Sequence, residues 1–357
     1  MKIILKLFFT FLLMIKFASA VINPNVGVVE GFYWTQDDTI NGQYGEYSFT
    51  QRKQLIQTIA AYNLGVYWYV PQTINTMALW SATQLSEWTT VASLGQSLGV
   101  KVVVGIRPGW LETAAFPTIL ARLQQIHSTG VAYYTLNFDD AEGVATTAQQ
   151  NLEVQLVSYL QTNLPSTFSL YGMIPYAYYQ DMFSSKTIWQ TKLAPIDAVS
   201  SAIPFIFTGK VITPSTFSSS QFPTLSSSRN MKFFDNWIAS DANRISWGMI
   251  DGRVNANIFT SSYGYILNLA FPLERVIHHL YCAGQLASGG SSCSISTASQ
   301  EWANWLNTNG FLHGKSVSTV KSSLQAAINA DTYFETMADF EAAYPNLAGI
   351  FTTLPTI

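Results

Sequence analysis

The chain has 357 residues, of which only 11% are charged, and its formal net charge is −3. The lysines and arginines form no basic run that could neutralise phosphates, which argues against a nucleic-acid partner. The length suits one large barrel domain with an appendage.

The N-terminus has the composition of a secretion signal. Lys2 and Lys6 precede an apolar stretch from Leu7 to Ile15, and small residues follow at 18–20 (ASA). This order of basic, apolar and small residues predicts a signal peptide over residues 1–20, cleaved after Ala20. An uncleaved anchor is the alternative, although lysines interrupt the stretch and leave it short for a membrane span. We therefore expect a secreted protein that does not stay attached to the membrane.

Strand-like and helix-like segments alternate along the rest of the chain. Eight apolar, strand-like runs are found at residues 26–33, 65–70, 100–106, 132–138, 168–174, 202–207, 232–234 and 263–268. Helix-like segments separate most of them, at residues 50–62, 83–98, 113–128, 146–160 and 271–282, and Thr50 is the expected cap of the first. The alternation predicts an α/β fold, a (β/α)₈ TIM barrel over residues 21–290.

The segment after the barrel is helical in pattern. Helices are predicted at residues 301–306, 317–330 and 338–344. We expect residues 291–357 to form a helical extension that packs on the outside of the barrel.

The chain has two cysteines, Cys282 and Cys293, separated by a polar, glycine- and serine-rich loop. In an oxidising compartment this spacing favours a local disulfide, and two buried free thiols are the alternative. Two cysteines cannot complete a four-ligand zinc site. His278 and His279 lie in a helical pattern and are interpreted as structural, so neither a metal nor a cofactor is predicted.

Two adjacent aspartates, Asp139 and Asp140, directly follow the fourth predicted strand. Parallel barrels keep their active sites at this end of their strands. Two close carboxylates cannot ionise independently, so such a pair can hold one acid and one base near neutral pH. The alternative is that both residues only cap the next helix.

The other predicted strand ends bring aromatic, amide and acidic side chains to the same mouth. Sugars bind to this mixture, because aromatic faces cover C–H surfaces while amides and carboxylates hold hydroxyl groups. A single aromatic residue at a strand end would be explained by packing in the barrel. Here all eight strand ends have residues that suit a sugar-binding mouth: Gly31, Gln72, Trp110, Asp139, Tyr178, Thr208, Asn236 and Asn268.

Residues 27–33 (GVVEGFY) resemble the signature of glycoside hydrolase family 84, the O-GlcNAcase-like β-N-acetylglucosaminidases. The resemblance covers residues 25–282. It continues, in the order of the family's motifs, at residues 51–55 (QRKQL), 69–71 (YVP), 108–109 (PG), 138–140 (FDD), 208–209 (TG) and 235–236 (DN), with Asp241 following.

The resemblance implies substrate-assisted catalysis, in which the acetamido oxygen of the sugar attacks its own anomeric carbon and forms an oxazoline. Asp139 would then hold the acetamide N–H, and Asp140 would act as general acid and base at the leaving oxygen. The implied sugar contacts are Gly31 through its backbone, Tyr178 near the oxazoline, Asn236 at the acetamide, Asp241 at the outer hydroxyls, and Asn268.

Four positions depart from the family's pattern. Gln72 stands where the family has a lysine, so a hydrogen bond there would lack charge assistance. Trp34 stands in place of a glycine at the rim. Phe207 and Phe234 replace tryptophans, and Phe234 offers less wall area near the acetamido methyl group.

The expected function is therefore that of a secreted exo-β-N-acetylglucosaminidase acting on GlcNAc-containing glycans or glycoproteins. Three alternatives stay open: a catalytically silent sugar-binding barrel, an endo-acting hydrolase of hyaluronan-like polymers, and a metal-dependent enzyme using Asp139, Asp140 and Glu142.

Overall fold

The computed structural model describes residues 22–31, 39–40, 43–44, 46–71, 75–139, 146–226, 228–239, 247–254, 257–260, 263–332, 334 and 337–351. The predicted signal peptide lies outside these residues, and secretion stays a prediction.

Eight parallel strands close into a barrel in which each strand pairs with its neighbours in sequence. The strands are β1 (Asn23–Glu30), β2 (Leu64–Tyr69), β3 (Lys101–Ile106), β4 (Tyr133–Asn137), β5 (Ser169–Ile174), β6 (Phe205–Phe207), β7 (Met231–Asp235) and β8 (Gly264–Asn268). Pairing of Val26 with Tyr265 and of Val28 with Leu267 joins β1 to β8 and completes the closure. The predicted (β/α)₈ barrel is confirmed, and all eight predicted strands are present.

Helices separate most of the strands and continue after the barrel. They are α1 (Phe49–Ala61), α2 (Ala82–Leu98), α3 (Phe116–His127), α4 (Thr147–Asn163), α5 (Lys186–Leu193), α6 (Asn257–Thr260), α7 (Ile277–Ala287), α8 (Ile295–Thr308), α9 (Val317–Ala330) and α10 (Met337–Ala343). No helix in the described part of the chain is both long and apolar enough to cross a membrane.

Two helix predictions need correction. Ser48, not Thr50, caps α1: its hydroxyl accepts from the N–H of Gln51, and the Gln51 side chain accepts in return from the N–H of Ser48. This reciprocal pair satisfies two otherwise unpaired donors, which Thr50 inside the helix cannot do. Helix α5 was not predicted from the sequence, because only Trp189 and Leu193 of its eight residues are buried.

Alternation along the strands sends side chains either into the barrel or outward to the helices. On β2, for example, Val66 and Trp68 belong to the interior cluster, whereas Tyr67 and Tyr69 pack in the larger core between strands and helices. The barrel interior is therefore filled with side chains rather than hollow, as expected for eight strands.

The N-terminal end of the barrel is closed by Tyr171 and two lysines. The ammonium groups of Lys232 and Lys101 lie 4.7 Å and 5.9 Å from the centre of the Tyr171 ring. Burial lowers the pKa of Lys232 to about 8. Since this end is packed shut, the opposite end, where the strands terminate, is the one with room for a ligand.

Candidate active site

A cavity of about 140 Å³, open to solvent at its mouth, lies at the carboxyl ends of the strands. Strands β4 to β8 and the segments that follow them supply its lining, which consists of Asp139, Ile174, Tyr178, Ile206, Phe207, Thr208, Ile212, Phe234, Asn236 and Asn268.

Asp139 lies in the turn that begins as soon as β4 ends at Asn137. Its side chain is 6% exposed and lines the cavity. Within β4, the Thr135 hydroxyl donates to Asn137 Oδ1 at 2.8 Å. This bond fixes the end of the strand from which Asp139 continues. The structure thus places the first aspartate of the predicted pair in the cavity wall.

Several residues named from the sequence lie outside the described part of the chain. They are Asp140, Gln72, Asp241, Trp34 and Glu142. Their proposed roles therefore stay predictions.

Four amide and backbone groups form a connected chain across the mouth. The Gly31 N–H donates to Asn268 Oδ1 at 3.2 Å, and Asn268 Nδ2 donates to Asn236 Oδ1 at 2.8 Å. Asn236 Nδ2 donates in turn to the Ile212 carbonyl at 3.3 Å. These bonds set the orientation of both amides and bring together Gly31, Asn236 and Asn268, whose contacts with a sugar stay predictions. A Cβ at residue 31 would lie 3.1 Å from Val29 Cγ2 and 3.3 Å from Asn268 Oδ1, so a larger residue would have to displace these neighbours slightly.

Aromatic side chains form the other walls. Phe234 packs edge-to-face on the buried Trp68, with ring centres 5.7 Å apart, and Tyr178 contacts Tyr179 at 5.0 Å. Tyr178 and Phe234 both line the cavity. Ile212, which lines the cavity, is 43% exposed, and Trp110, in the segment after β3, is 53% exposed.

Two further carboxylates at strand ends face away from the cavity. Glu30 lies in the layer between strands and helices, where Arg52 binds both of its oxygens and Tyr67 donates at 2.5 Å. Burial raises the pKa of Glu30, and the Arg52 charge opposes this effect. Asp235 accepts from Arg253 at 2.9 Å and from the Tyr265 hydroxyl at 2.6 Å. Both are structural ion pairs that stabilise the strand ends.

Arg107, which sequence analysis did not assign to the site, contacts Asp139. Its Nη2 lies 3.7 Å from Asp139 Oδ2. The signal available in the sequence was a cation directly after the third strand. It was not conclusive, because a charged residue in that position is equally typical of a solvated loop.

His278, His279 and Cys282 lie in α7, outside the barrel strands, and have structural contacts there. Burial lowers the pKa of His278 well below its ordinary value, and its ring stacks on Trp302 at 4.2 Å. Cys282 in α7 is joined to Cys293 by a disulfide. Among the described residues, no group of three or more His, Cys, Asp or Glu side chains could hold a metal ion.

The fold is similar to that of known glycoside hydrolases. A mutant of the Thermobaculum terrenum O-GlcNAc hydrolase has a TM-score of 0.65 and 17% identity, covering 83% of this chain and 64% of that one. The protein CpGH84B has a TM-score of 0.62 and 17% identity, covering 83% of this chain and 52% of its own. This chain thus spans less than two thirds of the length of either, and at such identity the likeness shows the fold alone.

Sequence comparison identifies the family. A search of curated protein sequences finds no match. The family model of beta-N-acetylglucosaminidase matches residues 26–276, well over half of the chain, from within β1 to beyond β8. The resemblance predicted from the motifs is thereby confirmed, and the chain belongs to the beta-N-acetylglucosaminidase family of glycoside hydrolases.

Proposed function

We propose that this protein is a secreted, exo-acting β-N-acetylglucosaminidase that hydrolyses terminal β-linked GlcNAc with retention, through an oxazoline intermediate. The observation that carries the proposal is the position of Asp139 in the wall of a cavity that also presents Asn236 and Tyr178. A carboxylate, an amide and a phenol on one cavity wall suit an acetamido group, which has one N–H donor and one carbonyl acceptor.

The resemblance to the family implies substrate assistance rather than a protein nucleophile. A conventional retaining glycosidase needs two carboxyl groups about 5–5.5 Å apart in the site. Glu30 and Asp235 are held by Arg52 and Arg253 outside the cavity. In the described part of the chain, Asp139 is the carboxylate that lines the cavity. We assign the nucleophile to the acetamido oxygen of the substrate, as the family resemblance implies.

We assign the catalytic steps from the family resemblance. Asp139 accepts the acetamide N–H, which aims the carbonyl oxygen at the anomeric carbon and stabilises the positive charge that develops on the forming oxazoline. Asp140 donates its proton to the leaving oxygen and then, as a base, activates the water that opens the oxazoline. The anomeric configuration is inverted twice and so retained.

Exo action and secretion rest on separate features. Exo action is proposed from the family resemblance. The N-terminal pattern and the Cys282–Cys293 disulfide suit an oxidising compartment outside the cytosol. We propose GlcNAc-capped glycans or glycoproteins as substrates, with no nucleic-acid partner and no membrane attachment after signal cleavage.

Endo action is the second candidate, and the exposure of Trp110 favours it. An aromatic face that is 53% exposed in the segment after β3 could support the next sugar of a polymer. Product analysis on a GlcNAc-containing polymer separates the two, since an exo-enzyme releases monosaccharide alone.

The mechanism is tested with aryl β-N-acetylglucosaminides carrying zero to three fluorines on the N-acetyl group. Fluorine withdraws electrons from the amide oxygen, so we expect kcat/KM to fall progressively along the series. The matched aryl β-glucoside, which lacks the acetamide, is expected to be inert. A flat series, or a covalent glycosyl adduct on a carboxylate of the protein, would contradict the oxazoline.

A further inference from the structure

The guanidinium of Arg107 lies beside Asp139 but is not hydrogen-bonded to it. The 3.7 Å between Nη2 and Asp139 Oδ2 is an ion-pair distance and exceeds the usual hydrogen-bond limit. The two side chains are only 16% and 6% exposed, so water screens their attraction poorly. The charge of Arg107 therefore acts on Asp139 directly.

Contacts with neighbouring segments hold Arg107 in place. Its backbone N–H donates to Thr76 Oγ1 at 2.7 Å, and its Nη1 donates to the Pro71 carbonyl at 3.2 Å. Further along the same segment, Leu111 exchanges two hydrogen bonds of 2.9 Å with the Gln149 side chain at the start of α4. The segments after β2 and β3 and the start of α4 are thereby tied together around the cation.

Two donors of Arg107 are left unused. Nε and Nη2 are buried and make no hydrogen bond. A buried donor without an acceptor is unfavourable, and functional sites are a common reason for retaining one. A movement of about 0.5 Å would bring Nη2 within hydrogen-bonding distance of Asp139 Oδ2, and catalytic hydrogen bonds commonly tighten when substrate binds.

We infer that Arg107 is a positioning residue for the proposed reaction: it keeps Asp139 ionised and, when the sugar binds, closes onto Oδ2 to hold the carboxylate against the acetamide. This inference rests on the proposed function. Arg107 is the charged side chain that faces Asp139 from the described elements. The segment after β5 contributes the phenol of Tyr178, the segment after β7 contributes the neutral Asn236, and β8 contributes the neutral Asn268. Asp140, the next residue in the chain, lies outside the described residues.

The test is the pH dependence of kcat/KM for Arg107→Gln and Arg107→Lys. Removing a nearby positive charge raises the pKa of a carboxyl group. In Arg107→Gln, the acidic limb of the profile, where kcat/KM falls as pH decreases, should therefore move up by about one pH unit. On this limb the variant should lose about tenfold in kcat/KM. Arg107→Lys keeps the charge and should keep the limb. Arg107→Lys should still lose at least about threefold in kcat/KM, because a single ammonium group cannot contact the Pro71 carbonyl and Asp139 together as the two guanidinium nitrogens do.

Arg122→Gln is the matched control. Arg122 is also buried, donates to the Thr76 carbonyl at 2.9 Å and stacks on Trp80 at 4.2 Å, but it has no contact with Asp139. Its loss should lower the melting temperature and leave the acidic limb unmoved, because it disturbs the same segment without changing the charge at the site.

Several outcomes would overturn the inference. These are an unmoved acidic limb in Arg107→Gln, an equal shift in Arg122→Gln, or wild-type kcat/KM in Arg107→Lys. If Arg107→Gln does not fold, the comparison of kcat/KM between Arg107→Lys and wild type tests the inference. An inactive wild-type protein would instead refute the proposed function, and the inference with it.

Discussion

At the residue scale, the buried carboxyl groups differ in whether a cation accompanies them. Glu30 and Asp235 each have an arginine within 2.9 Å. Glu153 in α4 is 4% exposed, and its Oε2 has no hydrogen-bond partner. With no cation to offset it, burial raises the pKa of Glu153 to about 8. Glu153 is therefore protonated in the folded protein at neutral pH.

This protonation makes stability depend on pH. The unfolded chain loses the Glu153 proton near its ordinary pKa of 4.5, whereas the folded protein keeps it until about pH 8. Unfolding between these values releases a proton, so the free energy of unfolding should fall as pH rises, by at most about 1.4 kcal/mol per unit. Glu153→Gln should flatten this decline in urea unfolding between pH 5 and 8. The exposed Glu112→Gln is the control, and equal slopes in Glu153→Gln and wild type would contradict the assignment.

At the element scale, the start of α1 shows how a cap is chosen. Several hydroxyl residues precede or begin this helix, and Ser48 is the one with extended backbone dihedrals (φ −64°, ψ 159°). Such dihedrals let a side chain fold back onto the first helical N–H groups. Position 50, inside the helix, has no such geometry.

Two substitutions separate these positions. Ser48→Ala should lower the free energy of unfolding by about 1 kcal/mol, because it leaves the Gln51 N–H without its acceptor. Thr50→Ala should be neutral or slightly stabilising, because alanine is the better helix former. Chemical denaturation of both variants measures the difference, and a larger loss in Thr50→Ala would restore the cap predicted from the sequence.

At the scale of the whole molecule, the C-terminal helices share an aromatic core with the barrel. The shared cluster consists of Trp247, His278, Trp302, Phe340 and Phe351. Trp302 of α8 also donates to the Glu274 carbonyl, in the segment after β8, at 2.7 Å. Helices joined to the barrel by a common core should unfold together with it.

Removal of the disulfide tests this coupling. Cys282 and Cys293 are 11 residues apart, and releasing a loop of this size costs about 2–3 kcal/mol. Cys282→Ala/Cys293→Ala should therefore lower the melting temperature by about 5 °C in calorimetry while keeping a single transition. A reductant should shift wild type similarly and leave the double variant unchanged. Two separate transitions would show that residues 291–357 fold independently of the barrel.

The sequence by itself determined the order and number of the barrel strands and the position of Asp139 directly after the fourth. Strand alternation and helical periodicity are local properties, and each buried strand carries its own apolar run. The same local evidence failed for α5, which is short and buries few residues, and for the choice of Ser48 over Thr50.

Only the tertiary structure decided which charged strand-end residues belong to the cavity. Glu30 and Asp235 end buried strands and Asp139 follows one, and the apolar runs before them do not separate cavity carboxylates from ion-paired ones. The partners that do so, Arg52 for Glu30 and Arg253 for Asp235, lie 22 and 18 residues away in the chain. Arg107, 32 residues from Asp139, was missed for the same reason. The direction of a side chain at the end of a strand depends on which partner the closed barrel brings to it, and that partner is remote in sequence.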